Sequence, residues 1–120
     1  MSSILIADDD ASTRATIADV LREEGHDVVT VSDGREAIDA LERVDPALVV
    51  TDLHMPLVDG TELLGAVRKR NPGTPVVIIT ADGEAHARLQ TGAVRADGYL
   101  LKPIDLDAML AQVDALLDAR

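Results

Sequence analysis

The chain has 120 residues, 47% of them apolar, which suits one compact domain able to bury roughly two-thirds of its unfolded surface and excludes disorder. It has no cysteine, which excludes disulfides, thiol catalysis and zinc–thiolate sites and fits a reducing cytoplasm. Its 22 acidic against 11 basic residues give a net charge of −11, and Tyr99 is its only aromatic, so neither phosphate-backbone nor base-stacking contact with nucleic acid is expected. The N-terminus lacks the basic region of a signal peptide, and no uncharged run approaches the roughly 20 residues of a membrane helix.

Apolar runs alternate with amphipathic stretches along the chain. Ile4-Leu5-Ile6-Ala7 reads as a strand ending at Asp8-Asp9-Asp10. Ser12 is a candidate cap for a helix with Ile17, Val20 and Leu21 on one face, ended by Gly25. A second strand carries Val28, Val29 and Val31. Asp33-Gly34-Arg35-Glu36 resembles a capping box and opens a helix with Ala37, Ile38 and Leu41, which Asp45-Pro46 breaks. Ala47–Thr51 is a third strand ending at Asp52, and a loop through Gly60 leads to a helix with Leu63, Leu64 and Val67. After the turn cluster Asn71–Pro75, Val76–Thr80 is the fourth strand. A helix around 84–94 has a thin stripe of Ala85, Leu89 and Val94. Gly98–Leu101 is the fifth strand, and a last helix starts near Asp105 with Leu106, Met109, Leu110, Val113, Leu116 and Leu117 as its core stripe.

Five strand–helix units imply an α/β fold: a doubly wound, five-stranded parallel sheet with helices on both faces. The first, third and fourth strands are continuously apolar, as buried central strands are. The second mixes in polar residues and the fifth is short, so the order 2-1-3-4-5 places the weak strands at the edges. Ligands of such sheets bind at the C-terminal strand ends near the point where the order reverses. That edge gathers Asp8, Asp9, Asp10, Asp52, Thr80 and Lys102. Clustered carboxylates suit a hard divalent cation, Mg²⁺ before Ca²⁺. Asp52, standing alone at the end of the central strand, is the candidate nucleophile for an aspartyl phosphate, and Asp8 with Asp9 is the candidate metal pair. The Lys102 ammonium and Thr80 hydroxyl are suited to stabilising phosphoryl oxygens.

Motifs in order along the chain, Ile4–Asp9, Thr51-Asp52 with Met55-Pro56 and Asp59-Gly60, Ile79-Thr80-Ala81, and Gly98–Leu101 with Lys102-Pro103, make the chain resemble a receiver domain of a two-component response regulator, the CheY-like, flavodoxin-like (βα)5 family. The resemblance implies that Asp52 is the phosphoacceptor, that Asp9 binds Mg²⁺ directly and Asp8 largely through water, and that His54 lends the metal its backbone carbonyl. It further implies that Thr80 and Tyr99 are switch residues, that Lys102 contacts the phosphoryl group, and that the bond before Pro103 is cis. Asp10 as a third acid, Ile104 where Phe is frequent, and Arg95-Ala96 where a Gly-Ala pair is usual depart from the family pattern without removing a chemical role.

The expectation is one receiver domain over residues 1–120 without an output domain, a cytoplasmic monomer that is not an enzyme but assists its own phosphorylation and dephosphorylation. Its donor partner would be a sensor histidine kinase or a histidine phosphotransfer protein. Its target would be a protein docking on the face formed by the fourth helix, fifth strand and last helix. An aspartate-nucleophile phosphatase of haloacid-dehalogenase type is the main alternative; it would use Asp8 or Asp9 as nucleophile. A flavodoxin-type FMN site is disfavoured because three aspartates after strand one would repel the phosphate.

Overall fold

A computed structural model describes residues 2–85, 87 and 95–119. The strands are β1 (Ser3–Ala7), β2 (Asp27–Val31), β3 (Leu48–Asp52), β4 (Val76–Thr80) and β5 (Gly98–Leu101). All pair in parallel in the order β2-β1-β3-β4-β5, as the apolar patterning requires. The helices are α1 (Ala11–Glu23), α2 (Gly34–Val44), α3 (Gly60–Arg70) and a C-terminal helix, Leu106–Asp118. Residues 83–85 and 87 are helical; the other positions of the helix anticipated around 84–94, with His86, Leu89 and Val94 among them, lie outside the described residues.

Strand alternation divides the core into two layers. Leu5, Ala7, Val49, Val76 and Ile78 point to the face covered by α2 and α3, where they meet Ala37, Leu41, Leu63, Leu64 and Val67. Ile4, Ile6, Leu48, Val50, Val77 and Ile79 point the other way, onto Ile17 and Leu21 of α1 and Met109 and Val113 of the C-terminal helix. The three central strands are buried almost throughout, while β2 at the edge is half exposed.

Every helix among the described residues starts on an aspartate. Asp10, Asp33, Asp59 and Asp105 accept the backbone N–H of Ser12, Glu36, Glu62 and Ala108 at 2.8–3.1 Å, and Asp82 accepts those of Glu84 and Ala85. The cap of α1 is therefore Asp10 rather than Ser12. A carboxylate two residues earlier reaches both the Ser12 N–H and the Thr13 hydroxyl, so it outcompetes the serine oxygen. Helix capping and the helix dipole thus account for part of the acidic surplus. Beyond α1, Gly25 at φ 92° turns the chain toward β2, which is the role its position suggested.

Candidate functional site

The C-terminal ends of β1, β3 and β4 and the start of the segment after β5 converge as the topology demands. Asp52 closes β3, only 7% exposed. Asp8, just past β1, is fully buried. Lys102 reaches between them, its Nζ 3.1 Å from Asp52 Oδ2 and 3.1 Å from Asp8 Oδ2. Ligand oxygens of Asp8, Asp9 and Asp52 all lie within 4.8 Å of one another. Thr80 is buried at the end of β4 and its hydroxyl accepts the Asp82 N–H at 3.1 Å. Lys102 N–H donates to the Thr80 carbonyl, which ties the two strand ends together. The Lys102–Pro103 bond is cis.

The charges here are unbalanced: three carboxylates face one ammonium. Burial pushes the Asp8 pKa up, the Asp52 charge adds to that, and the hydrogen bonds from the Asp10 N–H and Lys102 offset it only in part. For Lys102, burial alone would lower the pKa, but hydrogen bonds and charge from Asp52 and Asp8 outweigh it and raise the pKa above the ordinary lysine value. Asp10, by contrast, is pulled down by the Thr13 hydroxyl and the Ser12 N–H, as its capping role requires. Asp8 Oδ2 has no aligned hydrogen-bond donor; Lys102 meets it only as an ion-pair contact. A buried anionic oxygen without a donor, two further carboxylates beside it and an all-oxygen donor set fit a hard divalent cation such as Mg²⁺.

Beside this cluster a shallow cleft of about 340 Å³ is lined by Asp52, His54, Thr80, Ala81, Asp82 and Lys102. His54 projects into solvent, its Nε2 3.7 Å from Asp82 Oδ2 across the mouth. Two glycines hold the loop behind it. A Cβ on Gly60 would stand 2.5 Å from the Asp52 carbonyl oxygen, and one on Gly34 would overlap the Val58 carbonyl. Leu57, in the same loop, is 79% exposed at φ 72°. Tyr99 lies on β5, away from the carboxylates, half-buried against the α2–α3 side of the core, and its hydroxyl accepts the Ala96 N–H at 2.8 Å.

Two contacts had no signal in the sequence. Arg14, on the first turn of α1, donates to the Asp8 carbonyl at 2.7 Å. Asp82, facing His54, was visible only as one more acid. Spacing along the chain shows neither, because each contact depends on how two elements pack.

The response regulator receiver domain model matches residues 4–114. The transcriptional regulatory protein TcrA of Mycobacterium tuberculosis is 40% identical over 113 residues, 94% of this chain and 45% of TcrA. The chain spans about half the length of the curated relatives it matches. Among solved structures, the receiver domain of the Francisella response regulator 1452 superposes with a TM-score of 0.85 at 33% identity, covering 99% of this chain and 98% of that one. The response regulator TrrA of Thermotoga maritima, solved in complex with Mg²⁺-BeF, does so with a TM-score of 0.86 at 30% identity, over 97% and 99%. No described helix is long and apolar enough to cross a membrane. With its sheet order, its acidic strand ends and a family match across nearly all its length, this chain belongs to the response regulator receiver domain family.

Proposed function

We propose that the chain accepts a phosphoryl group on Asp52 from a phosphohistidine of a sensor kinase or phosphotransfer protein. The observation that carries this reading is the placement of Lys102 Nζ 3.1 Å from both Asp52 and the buried Asp8. An Asp52 oxygen attacks phosphorus in line; its P–O bond forms as the donor P–N bond breaks, and the electron pair leaves on the histidine nitrogen. Lys102 lies where charge grows on one phosphoryl oxygen, and the Thr80 hydroxyl has a proton to donate to another. Asp8, Asp9, Asp52 and the His54 carbonyl would hold Mg²⁺. When bound, Mg²⁺ supplies neutralising charge for the carboxylates and the transferred group. A largely apolar cleft of about 200 Å³ between α1 and residues 102–106, lined by Thr13, Thr16, Ile17, Ile104 and Leu106, supports docking of the donor beside Asp52.

Phosphorylation would then act through Thr80 and Tyr99 on the face formed by the fourth helix, β5 and the C-terminal helix, where a protein target would bind. The phosphatase alternative loses one of its two candidate nucleophiles, because Asp8 is buried and its carboxylate is engaged by the Asp10 N–H and Lys102. The test is incubation with Mg²⁺ and acetyl phosphate followed by mass spectrometry. One added phosphoryl group, mapped to Asp52 and absent from Asp52→Asn, is expected; an adduct that survives that substitution overturns the reading. Because Tyr99 is the only aromatic, tyrosine fluorescence reports on it alone, and it is expected to change on phosphorylation of the wild type but not of Asp52→Asn.

A further inference from the structure

Within the cluster Asp9 differs from its neighbours. Its side chain is exposed, and no hydrogen bond or ion pair holds it among the described residues. Asp8, before it, is tied by three hydrogen bonds besides its contact with Lys102: its N–H donates to the Val31 carbonyl at 3.2 Å, its carboxylate accepts the Asp10 N–H at 2.9 Å, and its carbonyl accepts Arg14 Nη1 at 2.7 Å. The peptide after Asp9 is held by the second of these bonds, and the peptide before it by the third. The direction in which Asp9 presents its carboxylate is therefore set by its two flanking peptides, one of which depends on a side chain six residues away.

Arg14 stands on α1 with three carboxylates in the preceding six residues, yet it pairs with none of them among the described residues. An arginine meant to neutralise charge would take a carboxylate, since the bidentate pair is the stronger bond. Here the guanidinium instead bonds a backbone carbonyl and leaves the Asp9 oxygens open. We propose that Arg14 is a positioning residue: by holding the Asp8–Asp9 peptide plane it pre-orients the Asp9 carboxylate for a divalent cation. Groups that orient metal ligands from behind typically matter by about 10-fold or more in metal affinity. The inference rests on the reading of the site as one that binds Mg²⁺.

Charge and orientation predict opposite signs, which makes the proposal testable. Removing a cation beside three carboxylates should tighten binding of another cation; removing an orienting bond should weaken it. The experiment is calorimetric titration of the unphosphorylated chain with Mg²⁺, for the wild type, Arg14→Met and Arg14→Lys, with thermal unfolding of each in EDTA. The expected result is an Mg²⁺ dissociation constant raised about 10-fold in Arg14→Met and partly restored in Arg14→Lys, with unfolding midpoints close to the wild type. An unchanged or tighter constant in Arg14→Met overturns the proposal. So does a weakened one that Arg14→Lys does not recover and that comes with a matching fall in the EDTA midpoint, since that marks a merely structural arginine. Wild-type protein that takes up no Mg²⁺ overturns the functional reading and this inference with it, whereas normal wild-type uptake with an insensitive variant overturns the inference alone.

Discussion

Asp8 and Lys102 carry opposite consequences for stability although they touch. The folded-state pKa of Asp8 is raised above its unfolded value, first by burial and then by the Asp52 charge. The folded protein therefore holds the proton more tightly than the unfolded chain, and stability falls as pH rises from the unfolded pKa through the folded one. Asp8→Asn keeps an acceptor for the Asp10 N–H and removes that cost. Denaturant unfolding in EDTA at pH 7 is expected to show Asp8→Asn as more stable than the wild type, with the gap closing as pH falls toward the unfolded carboxylate range; a variant less stable at pH 7 would contradict this. For Lys102 the folded pKa is raised by its two carboxylate partners against the lowering effect of burial. Its contribution is complete below the unfolded lysine value and is lost only as pH rises through the folded one, in the alkaline range. Lys102→Met strands a buried carboxylate and is expected to cost about 1–3 kcal/mol in the same assay at pH 7. A neutral effect would mean that the two carboxylates need no counter-charge.

At the scale of elements, Asp52 is positioned from behind by the first turn of α3. Gly60 N–H donates to the Leu53 carbonyl at 2.8 Å, and a Cβ there would meet backbone rather than a movable side chain. Gly65, five residues along the same helix, is exposed and has open space where its Cβ would go. The two alanine substitutions should therefore differ in sign. Gly60→Ala is expected to cost about 1–3 kcal/mol and to slow labelling of Asp52, because the backbone must shift. Gly65→Ala is expected to add about 0.5–1 kcal/mol by helix propensity alone and to leave labelling unchanged. Unfolding midpoints together with acetyl phosphate labelling rates check both. Equal effects at the two positions would show that the close approach of α3 to Asp52 is unimportant.

At the scale of the whole molecule, a net charge of −11 is held within a radius of gyration of 12.7 Å. The Debye length is about 30 Å at 0.01 M salt and about 8 Å at 0.15 M, so the charges repel across the entire fold in the first case and only locally in the second. NaCl is expected to raise the unfolding midpoint over this range. Mg²⁺ at constant ionic strength is expected to raise it further in the wild type and much less in Asp9→Asn, because site binding follows mass action rather than screening. Equal gains from Mg²⁺ in both proteins would show that the ion acts only by screening.

The sequence by itself determined what is local. Continuous apolar runs marked β1, β3 and β4 as central strands, mixed polarity marked β2 as an edge, and Asp33 with Glu36 marked the start of α2, because strand burial and helix capping depend on residues a few positions apart. Together with the parallel-sheet rule, that was enough to bring Asp8, Asp9, Asp52, Thr80 and Lys102 to one edge. Only the tertiary structure decided which of these touch and with what charge. Lys102 bridges carboxylates 94 and 50 residues distant in the chain, Asp8 is buried while its neighbour Asp9 is exposed, and Gly34 gives way to the Val58 carbonyl. Arg14 turns from the carboxylates around it to the Asp8 carbonyl. Each of these follows from the register of strands and the seating of helices on them, and packing of that kind leaves no periodic mark along the chain.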